Sequence, residues 1–330
     1  MQLLETASNP IPSGAEVTVV RTRDGVSLRV ASWAAPAGPD RGTVIILQGR
    51  AEFIEKYFEV VGELRARGFA VVAFDWRGQG GSDRALPDRH RGHVRHFEDF
   101  RLDFEAVRQS CAPGAAAGPV YGLAHSMGGC IALIGAQEGW LAVDRLVATS
   151  PMIRLSLVRR PRLARALARI LAGIGFGTLF VPGGPARSIS TLPFEGNRLC
   201  TDRGRYERNA LVATALGWCA IGAPTVGWYL AANEAMDRIS APGVAASIQM
   251  PVLVVAGGDD PICSTPAIER FARELPNGTL VTVLGSRHES LMETDSLRAA
   301  FWRAFDAFMV DGTATATADD HPRRMSSTVA

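Results

Sequence analysis

Gly122-Leu123-Ala124-His125-Ser126-Met127-Gly128-Gly129 follows the apolar run Pro119-Val120-Tyr121, and the architecture of the chain turns on this segment. A short strand running straight into a helix, with a serine at the turn and small residues around it, is the pattern of a nucleophile elbow. The small neighbours let the backbone take a strained turn that leaves the hydroxyl exposed at the sheet edge. The pattern is usually Gly-x-Ser-x-Gly; here Ala124 stands at the first glycine position, still a small residue. Ser126 is then the candidate nucleophile. The ordinary alternative is a serine N-cap opening a Gly-rich helix over Met127–Gln137, since serine is a favoured cap. The rest of the chain decides between them.

Eight β-rich runs read as strands: Glu16–Arg21, Ser27–Trp33, Thr43–Gln48, Ala70–Phe74, Pro119–Gly122, Arg145–Thr149, Val252–Ala256 and Thr279–Leu284. The first two flank Asp24-Gly25 as a hairpin, and the later ones are continuously apolar, as buried parallel strands are. Helical patterns at Phe53–Arg67, Phe97–Cys111, Met127–Gln137, Thr265–Glu274 and Ser290–Val310 alternate with them. That alternation predicts an α/β fold with a mostly parallel eight-stranded sheet and helices on both faces. The core is expected over 16–150 and 250–310, after a flexible N-terminus at 1–15. The tail 311–330, poor in apolar periodicity, is expected to be disordered.

Between Thr149 and Val252 no run has strand character, so 151–249 reads as an inserted helical cap. Pro161 starts a helix there with Leu163, Leu167, Ile170, Leu171 and Ile174 on one face and Arg162, Arg165 and Arg169 opposite. Arg154, Arg159, Arg160, Arg162, Arg165 and Arg169 occur with no acid among them. Two readings follow. The helix packs its apolar face on the core and solvates its arginines, or it rests on an anionic membrane surface.

A serine attacks an acyl carbon only when a base takes its proton, and the base needs an acid to hold its tautomer. With an elbow serine, the acid follows a late strand and the histidine follows the last one. Both places are filled, by Gly257-Gly258-Asp259-Asp260-Pro261 and by Gly285-Ser286-Arg287-His288-Glu289. His288 is the base candidate. Asp260 is preferred as the acid by its spacing from Gly257, with Asp259 the alternative. Two backbone amides must receive the oxyanion, one from the residue after the nucleophile and one from the loop after the third strand. Met127 and Arg50 hold those places, Gly49 allowing the chain to turn. This chemistry calls for no cofactor and no metal.

Composition excludes several other classes. The 330 residues carry 35 basic and 33 acidic groups, a net charge of +2, which gives no field for nucleic acid. The basic residues are almost all arginine, with Lys56 the single lysine. Five cysteines, odd in number and without a C-x-x-C pair, suggest neither a disulfide framework nor a zinc site. No apolar run is long enough to span a bilayer and no leader pattern opens the chain. The expected residence is cytoplasmic, with peripheral contact at the inner membrane surface through the cap.

Four segments together carry a resemblance: Leu47-Gln48-Gly49-Arg50-Ala51-Glu52, Phe74-Asp75-Trp76-Arg77-Gly78-Gln79-Gly80-Gly81-Ser82, His90-Arg91-Gly92-His93-Val94 and the elbow Ala124–Gly128. They resemble those of bacterial lysophospholipases and the related monoacylglycerol lipases of the α/β-hydrolase fold, over about residues 20 to 310 and weakest in the cap. The lipases often carry His-Gly where this chain has Gln48-Gly49. The resemblance implies a serine carboxylic-ester hydrolase acting on a single-acyl lipid, with Ser126, Asp260 and His288 catalytic. Gln48, Gly49, Glu52 and His125 are expected to contact the substrate. Small-ester esterases, thioesterases, acyltransferases and aminopeptidases share the triad, and a non-catalytic ligand-binding protein of this fold is the rival from another class.

Overall fold

The expected strands join into one sheet. The computed structural model describes residues 2–37, 41–111, 118–217 and 219–310. Its strands are β1 (Ala15–Arg21), β2 (Ser27–Trp33), β3 (Thr43–Leu47), β4 (Ala70–Phe74), β5 (Val120–His125), β6 (Arg145–Thr149), β7 (Val252–Gly257) and β8 (Gly278–Val283). They lie in the order β1-β2-β4-β3-β5-β6-β7-β8. β1 pairs antiparallel with β2, and β2 with β4; every later pair is parallel. β3, β5 and β7 are buried at every residue, so the sheet is covered on both faces, and their unbroken apolar runs are the sequence cause.

The helices are α1 (Phe58–Ala66), α2 (Asp99–Ser110), α3 (Met127–Glu138), α4 (Pro161–Gly173), α5 (Arg203–Ala215), α6 (Val226–Ile239), α7 (Val244–Ser247), α8 (Thr265–Arg273) and α9 (Asp295–Val310). Helix α9 docks on α1 through Arg298, whose guanidinium meets Glu59 at 2.9 Å and also reaches Glu63. On another flank α3 packs against α2, α6 and α7. The helical pattern expected at Phe53–Arg67 begins as a 3-10 turn over Ile54–Tyr57, and that expected at Ser290–Val310 as another over Ser290–Met292.

Two expectations about organisation differ from the structure. The segment before β1, expected to be flexible, is held down: Asn9 is buried and donates to the Glu55 carbonyl at 2.9 Å, and Trp33 Nε1 donates to the Pro12 carbonyl at 3.0 Å. The inserted stretch 151–249 is not uniformly a cap. Trp228, Ala231, Ala235, Met236 and Ile239 of α6, with Ala245 of α7, belong to the main hydrophobic core, so these two helices complete the crossover from β6 to β7. Of the remaining helices, α4 buries Ala168 in a separate small cluster, and α5 buries Val212 and Ala213 in another while adding Tyr206 to the main core. The expected tail at 311–330 lies outside the described residues.

Sheet order sets the position of the site. β3 is flanked by β4 and β5, so the chain leaves its central strands in diverging directions and opens a crevice at their carboxyl ends. Leu47 pairs with Ala124, which puts Gln48–Arg50 beside His125–Met127. Gly257 pairs with Val283, which brings the loops carrying Asp260 and His288 together.

Candidate active site

Ser126 sits between β5 and α3 with φ +50° and ψ −112°, a conformation that costs a non-glycine residue about 1–3 kcal/mol. The surroundings enforce it. A Cβ on Gly128 would lie 2.1 Å from the Leu47 carbonyl oxygen, and one on Gly129 would lie 2.9 Å from Pro151. Ala124, by contrast, fits fully buried in the strand, so glycine is not needed there. Ser126 occupies the N-cap position, yet its side chain makes no capping bond. Its Oγ lies 2.9 Å from His288 Nε2 instead.

His288 Nδ1 lies 2.8 Å from Asp260 Oδ2. An ionised carboxylate only accepts, so Nδ1 carries the proton and Nε2 is left to accept from the serine hydroxyl. The second oxygen, Asp260 Oδ1, accepts from the amides of Ile262 at 2.8 Å and Cys263 at 3.0 Å. Burial pushes the Asp260 carboxyl up, but the His288 contact and these amides outweigh it and hold the group below its ordinary value. Asp259 is exposed and makes its amide bond to Ser286, away from the histidine. Ser126, Asp260 and His288, in the order their positions suggested, therefore form one hydrogen-bonded chain.

Arg50 and Met127 both line the cavity that Ser126 borders. Met127 opens α3, where the first amides have no intrahelical acceptor, and among the described residues neither the Arg50 nor the Met127 amide has a hydrogen-bond partner. Such a pair of unused donors beside a nucleophile can receive developing negative charge. The loop that carries Arg50 is fixed from below. Glu52 accepts from the Gly49 amide and from Tyr57 Oη at 2.7 Å. Gln79 donates to the Gly49 carbonyl at 2.8 Å and accepts from the Ala51 amide at 3.2 Å. The Arg-Gly-Gln-Gly segment thus serves the loop after β3. Gly80, at φ +53°, has room only for hydrogen because a Cβ would meet Asp75 at 2.1 Å.

Beneath the site lies a charge cluster that composition and spacing did not reveal. The Lys56 ammonium bridges Glu52 at 2.7 Å and Glu289 at 2.6 Å, all three buried. Burial pushes both carboxyls up. The ammonium, with the Tyr57 hydroxyl, overcomes this at Glu52 and holds it low, whereas Glu289 stays raised. His125 bonds Thr149 Oγ1 at 3.0 Å and stands 3.7 Å from Glu52. Burial drives its pKa down to about 3, so the ring is neutral. The available signals were Lys56 as the single lysine, its i,i+4 spacing from Glu52, and an acid next to His288. A second buried network, Arg29 with Asp75 and Glu55 at 2.7 Å each, ties β2 to the same loops.

Of the expected substrate contacts, Gly49, Glu52 and His125 line the cavity. Gln48 does not. It is fully buried, its carbonyl accepting from Trp76 Nε1 at 3.0 Å, and among the described residues its side-chain amide has no hydrogen-bond partner. Glu52 and His125 are engaged by the protein itself, which makes them supports of the loop and elbow.

Two sets of side chains bring potential metal-ligating atoms within 4.8 Å of one another: Asp260, Cys263 and His288, and Glu52, His125 and Glu289. In the first, both the carboxylate and the imidazole are committed to hydrogen bonds, and burial raises the Cys263 thiol well above its ordinary value. In the second, the Lys56 ammonium already provides the positive charge. Neither donor set fits a divalent ion.

The cavity has a volume of about 650 Å³ and an apolar roof of Leu155, Leu157, Ile189, Leu192 and Leu199, with Met152 and Ile262 deeper. His93 Nδ1, 2.8 Å from Thr225 Oγ1, and His90 Nδ1, 3.1 Å from the Ala220 carbonyl, anchor its far wall, which accounts for the His-Arg-Gly-His segment. A hydrogen-bonded Ser-His-Asp chain, two unused amides and a largely apolar cavity can together accept an acyl group of some length.

Comparison with known proteins gives concordant findings. Residues 38–295 match the family described as serine aminopeptidase, S33. Lysophospholipase L2 of Escherichia coli is 31% identical over 281 residues, covering 80% of this chain and 79% of that protein. A soluble variant of the monoglyceride lipase of Saccharomyces cerevisiae, solved with a substrate analogue, superposes with a TM-score of 0.70 at 20% identity, covering 91% of this chain and 95% of that one. A carboxyl esterase from Bacillus coagulans superposes with a TM-score of 0.69 at 15% identity, covering 91% and 99%.

Proposed function

The chain belongs to the serine aminopeptidase S33 family of α/β-hydrolases, and on that premise we propose that it is a serine carboxylic-ester hydrolase that removes the acyl chain of a single-acyl lipid, a lysophospholipid before a monoacylglycerol. The observation that carries the reading is the hydrogen-bonded series from Asp260 through His288 to Ser126, opening into an apolar cavity of about 650 Å³. In the proposed reaction, His288 Nε2 takes the proton as Ser126 Oγ attacks the ester carbonyl. The Arg50 and Met127 amides hold the oxyanion, and Asp260 steadies the imidazolium. His288 then returns the proton to the departing glycerol oxygen. Water, deprotonated by the same histidine, releases the fatty acid from Ser126.

The lid supports a finer proposal, that the enzyme takes its substrate from an anionic membrane surface. Helix α4 packs on α6 through small residues, Ala168 with Ala164 and Ala172, against Val226 and Tyr229. Its large apolar residues face outward: Leu163, Leu167, Ile170 and Ile174 are 45 to 63% exposed, with Phe176 beside them. Arginines 154, 159, 160 and 162, all exposed, precede or open the same helix, and Leu157, Ile189 and Leu192 line the cavity. An exposed apolar ridge rimmed by cations matches an anionic bilayer. Among the described residues no helix is long and apolar enough to cross a membrane.

The test is hydrolysis by purified protein of lysophosphatidylcholine, lysophosphatidylethanolamine, monoacylglycerol and short nitrophenyl esters. Cleavage of the long single-acyl lipids with kcat/KM above that of the short esters is expected. Turnover confined to short esters or to peptides would overturn the reading.

A further inference from the structure

Ester cleavage uses the amide of Arg50 and leaves its side chain without a task. That side chain runs along the cavity wall, donates through Nη2 to the Gly222 carbonyl at 2.9 Å and lies with its guanidinium carbon 4.9 Å from the centre of the Trp228 ring. Its Nε is buried and has no hydrogen-bond partner. Burial, with no charge to offset it, pushes the pKa down to about 9, so the group is still a cation at neutral pH. Buried charges are ordinarily paired, and among the described residues no carboxylate pairs with this one.

The other charges of the cavity sharpen the point. In the floor Glu52 and Glu289 share the single Lys56 ammonium, which leaves at most one negative charge there against the three cations Arg50, Arg187 and Arg198, and Glu195 at the rim is paired with Arg203. Arg187 and Arg198 also line the cavity, Arg187 bonded to Thr191 and neither in an ion pair among the described residues. The uncompensated charge of the cavity is therefore positive, in walls that are otherwise apolar.

Length matters as well. Roughly six covalent bonds separate the Arg50 amide from its own guanidinium carbon, and roughly six separate an acyl carbonyl carbon from the phosphorus of a glycerophospholipid. One residue can therefore reach both ends of the glycerol. Resting on the functional reading above, we infer that the Arg50 guanidinium binds the phosphate of the substrate head group, while the amide of the same residue holds the carbonyl oxygen, so that phosphate-bearing single-acyl lipids are favoured over neutral ones. Guanidinium suits the role because its fork of donors matches phosphate oxygens.

The experiment compares wild type, Arg50→Gln and Arg50→Lys on lysophosphatidylcholine and monoacylglycerol of the same acyl chain. The inference expects the ratio of kcat/KM for the phospholipid over the neutral lipid to fall about 10- to 100-fold in Arg50→Gln, mainly through KM, with partial recovery in Arg50→Lys. A role limited to pinning Gly222 and Trp228 lowers both substrates together, and an unchanged ratio would overturn the inference while leaving the functional reading intact. A wild type that cleaves neither lipid overturns the functional reading itself. Independently of lipid turnover, glycerol 3-phosphate should inhibit nitrophenyl butyrate hydrolysis more strongly than glycerol or inorganic phosphate, and Arg50→Gln should abolish that advantage. Equal inhibition by inorganic phosphate and glycerol 3-phosphate would mark a free-anion site and overturn the head-group assignment.

Discussion

The floor and the roof of the cavity are built by opposite rules. In the floor every reactive or charged group has a partner: Ser126 has His288, His288 has Asp260, and Glu52 and Glu289 share Lys56. On the roof side large apolar side chains of α4 stand in solvent, and Arg187 and Arg198, which line the cavity, have no ion-pair partner among the described residues. The contrast suggests a division of labour, in which the floor fixes atoms for chemistry to fractions of an ångström and the roof leaves surface unsatisfied for a ligand to complete. A satisfied polar network is costly to disturb, whereas an exposed side chain is not.

The contrast breaks most visibly at Ser126, the proposed nucleophile. Ser126→Ala should lower kcat on any ester by about ten-thousand- to million-fold with little change in melting temperature, a loss read from fatty-acid release. Asp260→Asn should cost about a thousand- to ten-thousand-fold through the histidine tautomer, and Asp259→Asn less than about twofold. Equal losses at the two aspartates would contradict the geometry.

Next comes the support beneath. Lys56→Met leaves two buried carboxylates facing each other and should destabilise the fold by about 3–5 kcal/mol in urea titration. His125 gives the floor a pH signature. Its folded pKa is about 3 against 6.5 for the free side chain, so below pH 6.5 the unfolded chain binds the extra proton and stability falls as pH falls. Between pH 6.5 and 5 this amounts to roughly 1–2 kcal/mol, and His125→Asn should flatten that part of the stability curve. The depressed Glu52 and Asp260 add losses at more acid pH, in the same direction.

The roof should show the smallest effect on folding. Ile170→Asp, at a side chain 62% exposed, should change stability by no more than about 0.5 kcal/mol while weakening binding to anionic vesicles in a flotation assay. Undiminished vesicle binding, or a large stability loss, would show that the ridge is covered by protein and the comparison is misdrawn.

The same contrast governs what the sequence reveals. Unbroken apolar runs such as Val252–Ala256 identify buried parallel strands, and the positions of Ser126, Asp260 and His288 after β5, β7 and β8 bring them to one sheet edge once the crossovers are right-handed. Burial and pairing of individual polar groups are different. Nothing in the spacing places Lys56 against Glu289, because that contact joins residues on separate elements. Gln48, directly after β3, is fully buried, which periodicity does not encode. An amphipathic pattern finds the apolar stripe of α4 but not its neighbour. The helix buries alanines and exposes leucines, the reverse of what a core-packed stripe implies. Elements and catalytic order are thus local properties; the partner of a face is not.

The central claim is that Ser126 carries the acyl group of a single-acyl lipid. Rapid acid quench of the enzyme during turnover of a lysophospholipid, followed by mass spectrometry of its peptides, tests this most directly. The account predicts an acyl adduct on Ser126 that disappears in Ser126→Ala together with fatty-acid release. Continued release by Ser126→Ala, or an adduct on another residue, would contradict it.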